Sequence, residues 1–189
     1  MELGFYDGDA QSLVTPMVAG TSTPRGDFAS AGYVAVGLEG KQPELLSTPP
    51  LLGDQIKLVG SRLQGMDLGG KGDVPRVEAM PILPLLLAWQ ATRPAHADYV
   101  TLLHLIAPDG TLAAQFDRAP LQGVVPTTAW NEGDILLDAY DLELPAELPP
   151  GDYKLLVGLY DLPTLTRLPV QLDGTVVGDT VHVATITVP

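Results

Sequence analysis

The chain has no cysteine. That excludes disulfide staples, thiolate nucleophiles and cysteine-based metal sites, but a chain of 189 residues is long enough to bury a core without staples. Serine is sparse: Ser12, Ser22, Ser30, Ser47 and Ser61 all lie in the first third, and no Gly-x-Ser-x-Gly elbow exists. There are only three histidines, His96, His104 and His182, with no His-x-His or His-Glu-x-x-His spacing for a metal. Positive charge is scarce as well. Ten Lys and Arg face 23 Asp and Glu, a net charge of −13. No basic stripe is present to neutralise phosphates, so nucleic acid is excluded as a partner, and an anionic membrane surface is disfavoured. The greasiest run, residues 82–89, is broken by Pro84 and far too short to span a bilayer, so this segment is not expected to insert in a membrane. The N-terminus has neither the basic nor the apolar region of a signal peptide.

What is abundant is turn punctuation. Eighteen prolines and 20 glycines interrupt a chain that is 46% hydrophobic but only 17% charged. Such a composition suits many short strands and not long helices. Residues 99–106, Tyr-Val-Thr-Leu-Leu-His-Leu-Ile, form one strand, and Asp109-Gly110 turns it back into Leu112-Ala113-Ala114-Gln115-Phe116-Asp117. Period two puts His104 on the face of Val100, Leu102 and Ile106, as a partly buried, hydrogen-bonded histidine. Pro149-Pro150-Gly151 precedes another strong strand, residues 153–161. Residues 56–63 and 82–90 are two more, the second apolar enough for burial on both faces, with Pro84 marking a bulge or a sheet edge. Residues 135–144, 167–172 and 180–188 complete the set, with Asp173-Gly174 as a turn. Trp89, Tyr153 and Leu155 are core candidates, and Tyr140 and Tyr160 would place their rings inward with hydroxyls at the rim. The expected fold is an all-β antiparallel sandwich, immunoglobulin-like or related, of seven to nine strands over residues 54–189. An irregular arm, residues 1–53, precedes it and carries one or two edge strands.

Catalytic groupings are missing from the pattern. Asp138 and Asp141 lie on one strand but on opposite faces, poor parity for sharing a proton. Gly69-Gly70-Lys71-Gly72 lacks the Ser/Thr and following helix of a phosphate loop. Arg25-Gly26-Asp27 matches an integrin-ligand tripeptide, but three residues recur readily by chance. No enzyme, cofactor or metal is expected. The candidate ligand site is the long loop 118–134, since binding is usually built on loops displayed by a rigid scaffold. Trp130 there is either an anchor tucked onto the core or a platform for the apolar face of a sugar. In the second case Asn131 and Glu132 would take hydroxyl hydrogen bonds beside Tyr140.

An ordered set of motifs adds a family resemblance. It runs through Leu87-Ala88-Trp89-Gln90-Ala91, Asp98-Tyr99, Pro108-Asp109-Gly110, Ala114-Gln115-Phe116-Asp117 and Pro126-Thr127-Thr128-Ala129-Trp130. It continues through Asp138-Ala139-Tyr140, Pro149-Pro150-Gly151-Asp152-Tyr153, Val157-Gly158-Leu159-Tyr160-Asp161 and Arg167-Leu168-Pro169-Val170. Over about residues 56–188 the chain resembles the uncharacterised C-terminal β-sandwich domain of bacterial membrane glycosyltransferase-like proteins of filamentous phototrophs. The resemblance implies a sandwich and an extracytoplasmic setting, but no ligand or active site. A common family form has Pro-Gly-Glu after the Trp, where this chain has Asn131-Glu132-Gly133-Asp134. The function expected is a non-catalytic accessory domain, structural or contacting another protein domain. The alternative is a module binding a neutral polysaccharide, since an acidic surface repels uronates.

Overall fold

The computed structural model describes residues 43–63 and 82–188. The Arg25-Gly26-Asp27 triplet, the glycine-rich stretch 69–72 and residues 1–42 of the expected arm lie outside the described residues. Within them, twelve strands form two antiparallel sheets, as the turn-rich composition implies. The first sheet holds β1 (Glu44–Leu45), β2 (Leu51–Leu52), β3 (Ile56–Leu63), β4 (Ile82–Ala91), β7 (Ile135–Glu143), β10 (Val170–Leu172) and β11 (Thr175–Gly178). The second holds β5 (Tyr99–Ile106), β6 (Leu112–Gln115), β8 (Gly151–Asp161), β9 (Thr166–Arg167) and β12 (Val181–Val188).

The order across the first sheet is β11-β10-β2-β3-β4-β7, with β1 also on β3; across the second it is β12-β8-β5-β6, with β9 also on β8. Period-two alternation sends Leu85, Leu87 and Trp89 of β4, Tyr99, Leu103 and Leu105 of β5, and Tyr153, Leu155, Val157 and Leu159 of β8 into one core between the sheets. The continuous apolarity of β4 has a second cause on the opposite face. Leu86 and Ala88 pack there with Leu137 and Val59 in a small separate cluster. Pro84 sits opposite Asp141 on the β7 side, next to Leu85, which pairs with Leu63 of β3. The β4–β7 register runs through Pro84 without a bulge.

Three expectations need correcting. Residues 167–172 are not one strand. Thr166–Arg167 pairs in the second sheet and Val170–Leu172 in the first, so the chain changes sheets at Leu168-Pro169. The change is held on both sides: Leu168 N–H donates to Leu159 O (2.8 Å) and Pro169 O accepts from Gly53 N–H (2.9 Å). The end of the expected arm holds the short strand β2, which is not an edge strand but lies between β3 and β10, with Leu52 fully buried. The sandwich therefore extends ahead of residue 53 to include residues 43–53. Finally, the alternation that the sequence of the last strand offers, Val181, Val183, Thr185 and Thr187 against His182, Ala184, Ile186 and Val188, is not kept through β12, because its register against β8 shifts between His182 and Ala184. The β10–β11 turn behaves as its residues demand. Asp173 (φ 48°) and Gly174 (φ 79°) both take left-handed conformations, the twist a two-residue hairpin needs.

Because Leu52 is buried in the strand that links β10 to β3, Leu52→Ala should cost about 2–5 kcal/mol in urea unfolding. A loss within about 0.5 kcal/mol, the range of ordinary surface changes, would return β2 to the arm.

Candidate functional site

The loop 118–134 is bound to the body at Arg118, at Thr127 and Thr128, and at the Gly133–Asp134 turn. It contains two short 3-10 turns, Pro120–Gly123 and Thr127–Ala129. Thr127 is buried; its hydroxyl donates to Ala97 O (2.7 Å) and accepts from Tyr99 N–H (2.9 Å). Asp98 accepts from both the hydroxyl (2.6 Å) and the N–H (3.2 Å) of Thr128. Trp130 is 2% exposed, and its indole N–H donates to Val125 O at 3.1 Å. Of the two roles open to Trp130 in the sequence, the structure places it in the anchoring one. A large ring with a polar edge can hold an irregular segment on the core while satisfying its own N–H.

The other three candidate residues do not share a surface with it. Tyr140 is 3% exposed inside the sandwich, while Asn131 and Glu132 are exposed at the turn. Asn131 donates its backbone N–H (2.8 Å) and side-chain amide (3.2 Å) to Asp134, shaping the turn itself. Gly133 N–H to Ala91 O (2.8 Å) and Ala91 N–H to Asp134 O (3.0 Å) dock this turn on the end of β4. The grouping of Trp130, Asn131, Glu132 and Tyr140 into one stacking site is thus not what the structure assembles.

Two polar clusters are assembled instead, on opposite faces of the second sheet, and adjacent residues supply both. Thr101 and Arg118 form a bridge at the sheet's edge, so strand parity sends Arg118 inward and Asp117 outward.

The inner cluster is Arg118, Asp138, Tyr140 and Thr101. Arg118 Nη2 donates to Asp138 Oδ1 at 2.9 Å and to the Ala139 carbonyl, and its Cζ lies 3.8 Å from the Tyr140 ring centroid. The Asp138 side chain is 1% exposed and that of Arg118 is 27%. Burial raises the Asp138 pKa, against the opposing pull of the Tyr140 hydroxyl and the Arg118 charge; burial and then the Asp138 charge push Tyr140 well up. The Tyr140 hydroxyl faces Asp138 and Thr101 closely enough to feel both, but neither contact reaches hydrogen-bond geometry. Among the described residues, no second carboxylate stands beside Asp138 on this face, since Asp141 is exposed on the other side of β7. The arrangement is a tie between sheets and lacks the paired acids of glycoside hydrolysis.

The outer cluster is Asp117, His104, Tyr160, Arg167 and Asp179. Asp117 accepts from Leu103 N–H (3.1 Å) and from the Gln115 amide (3.0 Å). His104 Nε2 stands 3.7 Å from Asp117 Oδ1 and makes no hydrogen bond, so the hydrogen-bonded histidine expected from the sequence is a near-contact instead. Burial lowers the His104 pKa, more than the Asp117 charge raises it. Tyr160 lies on this outer face and not in the core. Desolvation, then the neighbouring Asp117 carboxylate, raise its pKa. Arg167 pairs with Asp179 at 3.3 Å, both about half exposed. Sequence reading missed this set, although the adjacent Asp117-Arg118 at a strand end was a signal that charges would part to two faces. Among the described residues, no group of three or more acids and histidines could hold a metal ion.

No family model matches the chain, and no curated protein matches it. Among solved structures it is similar to the C-terminal domain of wzt, with 13% identity and a TM-score of 0.49, over 78% of this chain and 82% of that one. Among the described residues, no helix is long and apolar enough to cross a membrane.

The inner tie makes a specific demand. Asp138→Ala should cost about 3 kcal/mol, because it leaves the Arg118 guanidinium half-buried without a carboxylate, whereas Arg118→Met with Asp138→Leu should recover most of that loss. Urea unfolding of both variants checks it. A double variant no more stable than the single would show that the pair's bonds, and not its desolvation, dominate.

Proposed function

We propose that this chain is a non-catalytic accessory domain with a structural or protein-interaction role on the outer side of the cell. The observation that supports it most is the β10–β11 hairpin. Every residue of β11 is exposed, and Val176 and Val177 are 60% and 55% accessible. Among the described residues β11 ends the first sheet, with no strand on its far side. An apolar strand edge with free backbone donors and acceptors suits pairing with a strand of another protein. The anchored loop supports the same reading, since its aromatic residue is used to close the domain. The extracytoplasmic setting rests on the resemblance of residues 56–188 to the family described above.

A second reading, binding of a neutral glycan, is favoured by one observation. The outer cluster combines a partly exposed tyrosine with carboxylates and a guanidinium on a rigid sheet face.

A photo-crosslinking residue at position 176 of the full chain, expressed in its native host, should join one discrete protein. The same residue at position 112, an exposed leucine in the other sheet, should not. Equal labelling from both positions, or none from position 176, would remove the hairpin as an interaction surface.

A further inference from the structure

We propose that the outer face of the second sheet, around Tyr160, Arg167, Asp179 and Asp117, is a binding site for a neutral sugar. This rests on the second reading above and gives it a place and a set of residues.

Strand parity brings these residues to one face. Val100, Leu102 and His104 of β5 lie opposite Tyr160, Gly158 and Leu156 of β8, and paired residues of antiparallel strands project to the same side. Arg167 is the direct cross-strand neighbour of Tyr160 through β9. Asp117 arrives from the end of β6 on the other flank. The fourth group comes from the segment between β11 and β12. It can lie against the sheet because β8 has a glycine at the contact: a Cβ on Gly158 would stand 2.8 Å from the Asp179 carbonyl oxygen. That close approach sets the Asp179 carboxylate beside Arg167 at 3.3 Å.

The chemistry of the face suits a polyol. The Tyr160 phenol offers an apolar ring to sugar C–H groups and a hydroxyl to hydrogen-bonding partners. Arg167 and Asp179 offer a planar donor fork beside a two-oxygen acceptor, complementary to vicinal hydroxyls, which both donate and accept. Asp117 is held by Leu103 N–H and the Gln115 amide, so this acceptor is positioned before any ligand arrives. Asp117 and Asp179 outnumber Arg167 on this face, within a chain of net charge −13, so uronates and phosphorylated sugars would be repelled. The rigid sheet contrasts with the Asn131–Glu132 turn, which exposes no ring and has committed its amide to Asp134.

The test is binding of the full chain to a panel of neutral glycans built from hexose, deoxyhexose and N-acetylhexosamine units, with a polyuronate as comparison. Wild type should bind at least one neutral glycan and not the polyuronate. Tyr160→Ala and Arg167→Gln should each weaken that binding by about tenfold or more. Glu132→Ala should leave it unchanged. Arg167 is about half exposed, so its variant should melt as wild type does, which separates lost binding from lost folding. Binding that survives both face variants would overturn the proposed location while leaving the sugar reading intact, and loss in Glu132→Ala would move the site to the turn. Failure of wild type on every neutral glycan, or preference for the polyuronate, would remove the sugar reading and this site with it.

Discussion

The buried carboxylate of Asp138 is the constraint around which one side of the sandwich is arranged. It projects from β7, the last strand of the first sheet among the described residues, into a core that disfavours charge. An isolated carboxylate there would be costly, and the sequence answers it with Arg118, which continues the edge of the second sheet beside Thr101. The two sheets are therefore tied along one side by a charge-assisted hydrogen bond, capped by the Tyr140 ring. The loop between Arg118 and β7 must then span from one sheet edge to the other, and Thr127, Trp130 and the Asp134 turn are the fastenings along its path. Its irregular course follows from having both ends fixed.

Most of the fold was legible because strand periodicity is a local property. The alternation in residues 99–106 and 153–161 identified β5 and β8, and the turn residues at 109–110, 149–151 and 173–174 bounded strands. What escaped was set by partners distant in the chain. Thr166–Arg167 and Val170–Leu172 read as one strand because nothing local says that Pro169 separates two sheets. Leu51–Leu52 reads as an arm because two residues carry no period, and only β3 on one side and β10 on the other make them central. In β12 the shift after His182 cancels an alternation that is perfect on paper.

The site was less legible than the fold. A tryptophan in a long loop has two physical uses, and only its surroundings decide between them; here Val125 O and the core claim the ring. Tyr140 follows from the inward parity of β7, together with Leu136, Asp138 and Leu142. Tyr160 parts company with Tyr140 for the same kind of reason: its parity in β8 opposes that of Tyr153 and Leu155, so it belongs to the outer face. The Asp117–Arg118 pair shows why a cluster can be invisible in sequence. Two adjacent charges serve two networks on opposite sides of one sheet: Arg118 finds its carboxylate 20 residues away at Asp138, while Asp117 is held by Leu103 and Gln115 beside His104.

The central claim is that the loop 118–134 is closed on the core by a buried Trp130, so that binding surfaces lie elsewhere. Tryptophan fluorescence tests this directly, because both tryptophans, Trp89 and Trp130, are buried. The native chain should emit at short wavelength and resist quenching by iodide and acrylamide. A native chain with red-shifted emission, about half of it readily quenched and lost on Trp130→Phe, would contradict the account by placing that ring in solvent.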